Sequence, residues 1–140
     1  MAHLGEFVVN HWLLVTALIV ILLLLAAEAA KRRVLGFKDI QPQEAVRLIN
    51  HEDAVMVDVR DDEEYRAGHV LNALLIPYGL MEERLQELEP YKSRPLIVYC
   101  RTGQRAGRAC ALLQKQGFAR LYKLSGGILA WRGAELPVVK

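Results

Sequence analysis

The N-terminal part of the chain carries an apolar run that is long enough to cross a bilayer. Residues 7–27 contain no Asp, Glu, Lys or Arg, and within residues 12–25 only Thr16 is polar. As a helix, the segment 7–27 would extend about 31 Å, which matches a hydrocarbon core of about 30 Å. The pattern therefore predicts one transmembrane helix, with Trp12 in the place of an interfacial aromatic residue.

Basic residues follow this run directly, as Lys31-Arg32-Arg33. Because Lys and Arg tend to stay in the cytoplasm, they predict an uncleaved single-pass anchor in a bacterial inner membrane, with the N-terminus outside and the rest of the chain cytoplasmic. A cleaved signal peptide is an alternative, since Ala27-Glu28-Ala29 resembles a cleavage site, but the residues before the run lack Lys and Arg. A second alternative is that the run forms a buried helix of a soluble protein. The predicted organisation is an anchor with a basic flank over residues 1–33, a linker over 34–37 and a domain over 38–140.

Short apolar runs alternate with amphipathic segments through the rest of the chain. Strands are predicted over residues 38–40, 54–57, 73–76, 96–99 and 121–124. Helices are predicted from Pro42, over 80–88 and over 105–116, with a turn or helix over 128–132 and a short helical turn capped by Asp61 or Asp62. Continuous apolar strands between helices indicate an α/β fold, with a parallel sheet covered by helices on both faces.

Cys100 lies where one of these strands ends and a helix is about to begin, in the stretch Cys100-Arg101-Thr102-Gly103-Gln104-Arg105. Ligands of open parallel sheets bind beyond the carboxyl ends of the strands. Backbone N–H groups and the helix dipole favour negative charge at this point, and two arginines flank it. We therefore expect a partly ionised thiol, and the thiolate is the nucleophilic form of cysteine.

Charge is unevenly distributed, although the net charge is only +2. Residues 35–89 contain thirteen acidic and five basic side chains, whereas residues 90–134 contain nine basic and no acidic ones. A positive field around Cys100 would attract an anionic substrate. The alternative is that the two halves neutralise each other across the fold. Nucleic acid is not an expected partner, because no recognition module or basic-aromatic interleaving is present.

Three groups of residues, taken in order, resemble the rhodanese domain over about residues 40–137. The first is Asp58-Val59-Arg60 with Glu64-Tyr65 and Gly68-His69-Val70, the second is the loop from Cys100 to Arg105, and the third is Leu124-Ser125-Gly126-Gly127 with Ala130-Trp131. The resemblance implies a five-stranded parallel sheet flanked by helices. It also implies a sulfurtransferase that works through a persulfide on Cys100.

The chemistry expected of this loop is a two-step transfer of sulfane sulfur. Cys100 attacks an anionic donor such as thiosulfate, and a thiol or cyanide-like acceptor then removes the sulfur. Backbone N–H groups from Arg101, Thr102, Gly103, Gln104 and Arg105 are expected to surround the persulfide. Arg105 is expected to neutralise the donor, with Arg101 at the rim. Asp58 and Arg60 either support the site or form a structural ion pair.

No metal or cofactor is expected, since the four histidines are scattered and neither a Cys-x-x-Cys motif nor a nucleotide-binding glycine loop is present. Cys110 is interpreted as a small core residue, with a role as resolving thiol as the alternative.

Two other functions remain open. One is a module of the same fold that binds a membrane protein partner. The other is a thiolate-based phosphatase or arsenate reductase, which would need one more residue between the thiol and the arginine than this loop provides.

Overall fold

The structure is a computed structural model that describes the backbone of residues 2–140 and the side chains of residues 3–30 and 36–140. The chain divides into two compact units, one ending at Leu35 and one spanning Gly36–Lys140. The side chains of Lys31, Arg32 and Arg33, on which the predicted orientation depends, lie outside the described residues.

The N-terminal unit consists of two helices, α1 (Ala2–Asn10) and α2 (Trp12–Leu35). Within α2, the stretch Trp12–Ala30 is long and apolar enough to cross a membrane, by its length and composition, and none of it is buried within the protein. The predicted span 7–27 therefore begins in α1 and overlaps most of this stretch. Large apolar side chains such as Leu13, Leu23 and Leu24 are more than 60% exposed along it.

The C-terminal unit is built on a five-stranded sheet in which every pairing is parallel, in the order β1-β6-β5-β2-β4. A separate antiparallel pair is formed by β3 and β7. The strands are β1 (Phe37–Ile40), β2 (Val55–Asp58), β3 (His69–Val70), β4 (Leu74–Leu75), β5 (Leu96–Tyr99), β6 (Leu121–Leu124) and β7 (Val138–Val139). The sheet confirms the predicted fold class.

Helices cover both faces of the sheet, and each face has its own apolar core. The helices are α3 (Pro42–Glu52), α4 (Asp62–Ala67), α5 (Gln104–Lys115) and α6 (Gly127–Gly133). Successive strand residues alternate between the faces: Val98 of β5 packs with Leu113 of α5, whereas Ile97 packs with Leu48 of α3 and Trp131 of α6. Burying an aliphatic side chain of this size stabilises the fold by about 1.5–3 kcal/mol. Burial on both sides is the reason that the strands read as continuous apolar runs.

The predicted helix over residues 80–88 is wrong. The chain there forms three short 3-10 turns, Tyr78–Leu80, Leu85–Glu87 and Glu89–Tyr91, joined by other turns. Pro90 removes a backbone donor, and Arg84 leaves the helical region at φ −111° and ψ 15°. Leu80 is 44% exposed, while its neighbour Met81 is fully buried, so the residues that face the core do not follow a helical spacing.

The antiparallel pair β3–β7 was not predicted from the sequence. It joins His69 to Val139 and Val70 to Val138, so that the C-terminal residues are held beside the segment that follows α4. Two-residue strands are too short to produce a recognisable alternation of apolar and polar positions.

Candidate functional site

Cys100 follows β5, the central strand of the sheet, and is 1% exposed. The backbone N–H of Gly103 donates a hydrogen bond to Cys100 Sγ at 3.0 Å. Gly103 has φ +118° and lies immediately before α5, so the turn depends on a glycine at this position. The sulfur is therefore held at the N-terminus of a twelve-residue helix, where the dipole and the free N–H groups favour an anion.

The Gly126-Gly127 pair packs against the other side of this turn. Ile128 donates its N–H to the carbonyl of Cys100 at 2.9 Å, and Leu129 donates to the carbonyl of Arg101 at 3.4 Å. Gly127 has φ +57°, and a Cβ atom added to it would overlap both of those carbonyl oxygens. The start of α6 thus fixes the backbone on which Cys100 is carried.

The Gly127→Ala variant is expected to displace this backbone and to slow the sulfur loading that the sequence predicts for Cys100 by roughly tenfold to a hundredfold, because an ångström-scale misplacement of a reacting group has effects of that size. The rate of mass gain of the intact protein after addition of a sulfur donor measures the change. Gly133→Ala is the matched control, since a Cβ atom there meets nothing within 4 Å. A Gly127→Ala protein that loads at the wild-type rate would contradict the prediction.

Arg105 lies in the first turn of α5 and forms a bidentate ion pair with Glu64 of α4. The distances are 2.8 Å from Nη1 to Oε1 and 3.1 Å from Nη2 to Oε2. The hydrogen bonds from the Arg105 guanidinium lower the pKa of Glu64, and the same hydrogen bonds, together with the Glu64 charge, raise the pKa of Arg105 against the opposing effect of burial. The pairing of Glu64 with Arg105 is not predicted from the sequence. The Asp61-x-x-Glu64 spacing is typical of a capping box, which places Glu64 in the first turn of α4 but does not specify a contact with Arg105.

The other loop residues lie around this centre. Arg101, Thr102 and Gln104 are exposed, whereas Gly103 is buried beneath them. The structure thus brings Cys100, Gly103 and Arg105 together at one edge of the sheet and leaves Arg101 at the rim.

Asp58 and Arg60 form a buried ion pair beside β5. Asp58 ends β2 opposite Tyr99, and its carboxylate accepts hydrogen bonds from Arg60 Nε at 3.0 Å and Nη2 at 2.7 Å. Arg60 also donates to the carbonyl of Gly68 at 2.8 Å, and its guanidinium lies 5.6 Å from the centre of the Tyr99 ring. Both charges are therefore satisfied within the fold, which is the geometry of a structural ion pair.

A family model of the rhodanese-like domain matches residues 41–134. The chain belongs to the rhodanese family. The match covers the three groups of residues that carry the resemblance, and it begins one residue before α3 and ends one residue after α6.

The chain is also similar to curated relatives and to solved structures. The uncharacterised protein YibN of Escherichia coli strain K12 is 35% identical over 100% of this chain and 99% of its own length. A sulfurtransferase of Allochromatium vinosum is 41% identical over 66% of this chain and 85% of its own length. The crystal structure of a rhodanese-related protein from Thermoplasma volcanium superposes with a TM-score of 0.66 at 26% identity, covering 73% of this chain and 97% of that one.

Cys110, the second cysteine of the rhodanese domain, is fully buried in the core between α5 and the sheet. Its thiol lies 3.8 Å from the carbonyl oxygen of Tyr122, and burial raises its pKa to about 12. A thiol with such a pKa stays protonated at neutral pH and is a poor nucleophile. The geometry matches the interpretation of Cys110 as a small core residue.

The Cys110→Ala variant tests this interpretation through the pH dependence of stability. Above the ordinary thiol pKa of 9.0, the unfolded chain loses the Cys110 proton while the folded chain keeps it up to about 12, so rising pH favours unfolding. Cys110→Ala removes this contribution. At neutral pH, the free energy of unfolding of the variant is expected to be lower than that of the wild type by on the order of 1 kcal/mol. In urea titrations above about pH 9, this difference from the wild type is expected to shrink. A deficit that stays constant with pH would contradict the prediction.

His69 and Trp131 are both held by local contacts. His69 stacks on Tyr65 with the ring centres 3.7 Å apart, and its Nδ1 lies 3.0 Å from the Tyr65 carbonyl oxygen. Trp131 is 4% exposed and donates its indole N–H to the carbonyl of Pro137 at 3.0 Å. These contacts hold His69 beside α4 and Trp131 in the core, so both side chains serve the packing of the domain.

Proposed function

We propose that this protein is a sulfurtransferase that carries sulfane sulfur on Cys100, taking it from an anionic donor such as thiosulfate and passing it to a thiol or cyanide-like acceptor. The observation that carries the proposal is the 3.0 Å hydrogen bond from the Gly103 N–H to Cys100 Sγ at the N-terminus of α5. A backbone donor aimed at sulfur stabilises the negative charge of a thiolate and of the persulfide that replaces it.

The first half-reaction conserves atoms and charge with thiosulfate as donor. The Cys100 thiolate attacks the sulfane sulfur, a new S–S bond forms, and the bond within thiosulfate breaks with its electron pair leaving on sulfite. In the second half-reaction, a nucleophilic acceptor attacks the outer sulfur of the persulfide, and Cys100 leaves as the thiolate. Splitting the transfer in this way replaces one difficult step with two easier ones.

The length of the loop supports sulfur transfer over phosphate or arsenate chemistry. Arg105 follows Cys100 by five positions, and Ala106 occupies the place where a longer phosphatase-type loop would carry its arginine. Ala106 is fully buried in the core and supplies no charge. A shorter loop leaves less space above the sulfur for a tetrahedral anion.

We further propose that α2 anchors the protein in the bacterial inner membrane, with the N-terminus outside and the rhodanese domain in the cytoplasm. The apolar stretch Trp12–Ala30 supports the anchor, and Lys31-Arg32-Arg33 supports the orientation. Protease treatment of right-side-out vesicles tests this proposal, because digestion of the rhodanese domain would exclude the orientation.

The decisive test of sulfur transfer is the intact mass of the full chain in detergent after treatment with thiosulfate. We expect the gain of one sulfur atom, which cyanide removes as thiocyanate and which the Cys100→Ala protein never acquires. A protein that takes up no sulfur from thiosulfate, an organic persulfide or polysulfide would be a binding module of rhodanese fold, not a sulfurtransferase.

A further inference from the structure

Arg105 lies at the start of α5, where the turn that carries Cys100 ends. It already forms an ion pair with a carboxylate. Both of its terminal nitrogens donate hydrogen bonds to Glu64, at 2.8 Å and 3.1 Å. The Asp61 carboxylate is a second negative charge that raises the pKa of Arg105. The sequence assigned this arginine to the donor anion. In the structure, this arginine meets the donor as half of an ion pair, and Arg101 stays exposed at the rim.

The Glu64 carboxylate is held in place from its own side as well. Asp61 and Glu64 form a capping box at the start of α4, in which the Asp61 N–H lies 3.4 Å from Glu64 Oε1. The Arg105 and Glu64 side chains are 33% and 31% exposed, so water screens the pair only in part. The carboxylate is thus a fixed negative charge beside the arginine of the loop.

The charge that this site must accommodate depends strongly on the donor. Thiosulfate brings two negative charges, so its transition state with the Cys100 thiolate carries three. An organic persulfide, R–S–SH, brings at most one. A dianion that binds against Arg105 must either displace Glu64 from the arginine or lie beside the carboxylate, and both are unfavourable, whereas a donor of low charge needs neither.

We propose that Glu64 is a specificity-determining residue that biases Cys100 toward sulfane donors of low charge, namely organic persulfides, and away from thiosulfate. This inference rests on the proposed function. The Cys100 thiolate attacks the outer sulfur of R–S–SH, the S–S bond of the donor breaks, and its electron pair leaves on R–S⁻. The proton of the transferred S–H then passes to R–S⁻, which gives the Cys100 persulfide anion and R–SH.

The test compares two donors on the full chain in detergent, with the Glu64→Gln variant. Glutamine retains the capping-box interaction but removes the charge. The donors are thiosulfate and the persulfide of N-acetylcysteamine, which has no charged group besides its S–SH. Intact mass gives the rate of sulfur loading. We expect Glu64→Gln to accelerate loading from thiosulfate roughly fivefold, to leave loading from the persulfide within about twofold, and to make the thiosulfate rate more sensitive to salt.

The matched control is Glu52→Gln, which removes the same charge from another ion pair between separate elements. Glu52 lies 3.1 Å from Arg120, and these two side chains are 38% and 43% exposed. We expect wild-type rates with both donors.

If the Glu64→Gln variant loaded sulfur from both donors at the wild-type rates, this inference would be overturned and the proposed function would stand. An equal change with both donors, or slower loading from thiosulfate, would do the same, because Glu64 would then only position Arg105. Wild-type protein that loads from neither donor would instead overturn the proposed function, and this inference with it.

Discussion

Replacing Cys100 by serine is expected to lower kcat/KM for the proposed sulfur transfer by roughly a thousandfold or more, because the reaction would lose its proposed nucleophile. A serine hydroxyl is not ionised near neutral pH. It can still accept the N–H of Gly103, so the turn and the fold should be retained. The measurement is thiocyanate formation from a sulfane donor and cyanide by the full chain in detergent.

Cys110→Ala is the control for this variant, since it removes the other thiol of the chain and leaves the loop intact. Both cysteines are buried, so burial alone does not distinguish them. Only Cys100 receives a backbone N–H at the end of a strand. A Cys100→Ser protein within about tenfold of the wild-type rate would contradict the assignment of the nucleophile.

The sheet of the C-terminal unit was predicted well from the sequence, because strands that are buried on both faces appear as continuous apolar runs. Residues 96–99 and 121–124 were predicted as strands with the bounds that the structure gives them. The segment 80–88 failed because its leucines follow a helical spacing, while Pro90 and the buried side chains of Met81 and Leu88 select 3-10 turns. Tertiary packing overrode local pattern there.

The position of the Cys100 loop between a strand and a helix was predicted from the sequence, whereas the contacts of its side chains were not. Placing Cys100 at the carboxyl end of a strand needs only strand order and direction. The pairing of Arg105 with Glu64 joins residues 41 positions apart, and no local pattern specifies a contact between α4 and α5. The acidic and basic segments of the chain meet in this ion pair, so Arg105 does not add an unpaired positive charge beside Cys100.

The Asp58→Ala variant is expected to destabilise the rhodanese domain by about 3–5 kcal/mol, because it leaves the Arg60 guanidinium buried without its counter-ion. Arg60 is 4% exposed and Asp58 is fully buried. The variant also removes the acceptor of the Arg60 backbone N–H, at 2.9 Å from Asp58 Oδ1. Urea unfolding of the full chain in detergent, followed by Trp131 fluorescence in a Trp12→Phe background, measures the change.

Two further variants separate burial from the mere presence of an ion pair. Glu44→Ala breaks a pair of similar length, 2.6 Å from Glu44 to Arg47 against 2.7 Å from Asp58 to Arg60, but on the surface. We expect it to leave the free energy of unfolding nearly unchanged, because water solvates the arginine that remains. The double variant Asp58→Leu with Arg60→Met is expected to be more stable than Asp58→Ala, since it leaves no buried charge. If Asp58→Ala were no less stable than Glu44→Ala, the carboxyl end of β2 would not depend on this pair. The position of β2 beside β5 would then depend on apolar packing, such as that of Val57 and Val98, and not on the buried ion pair.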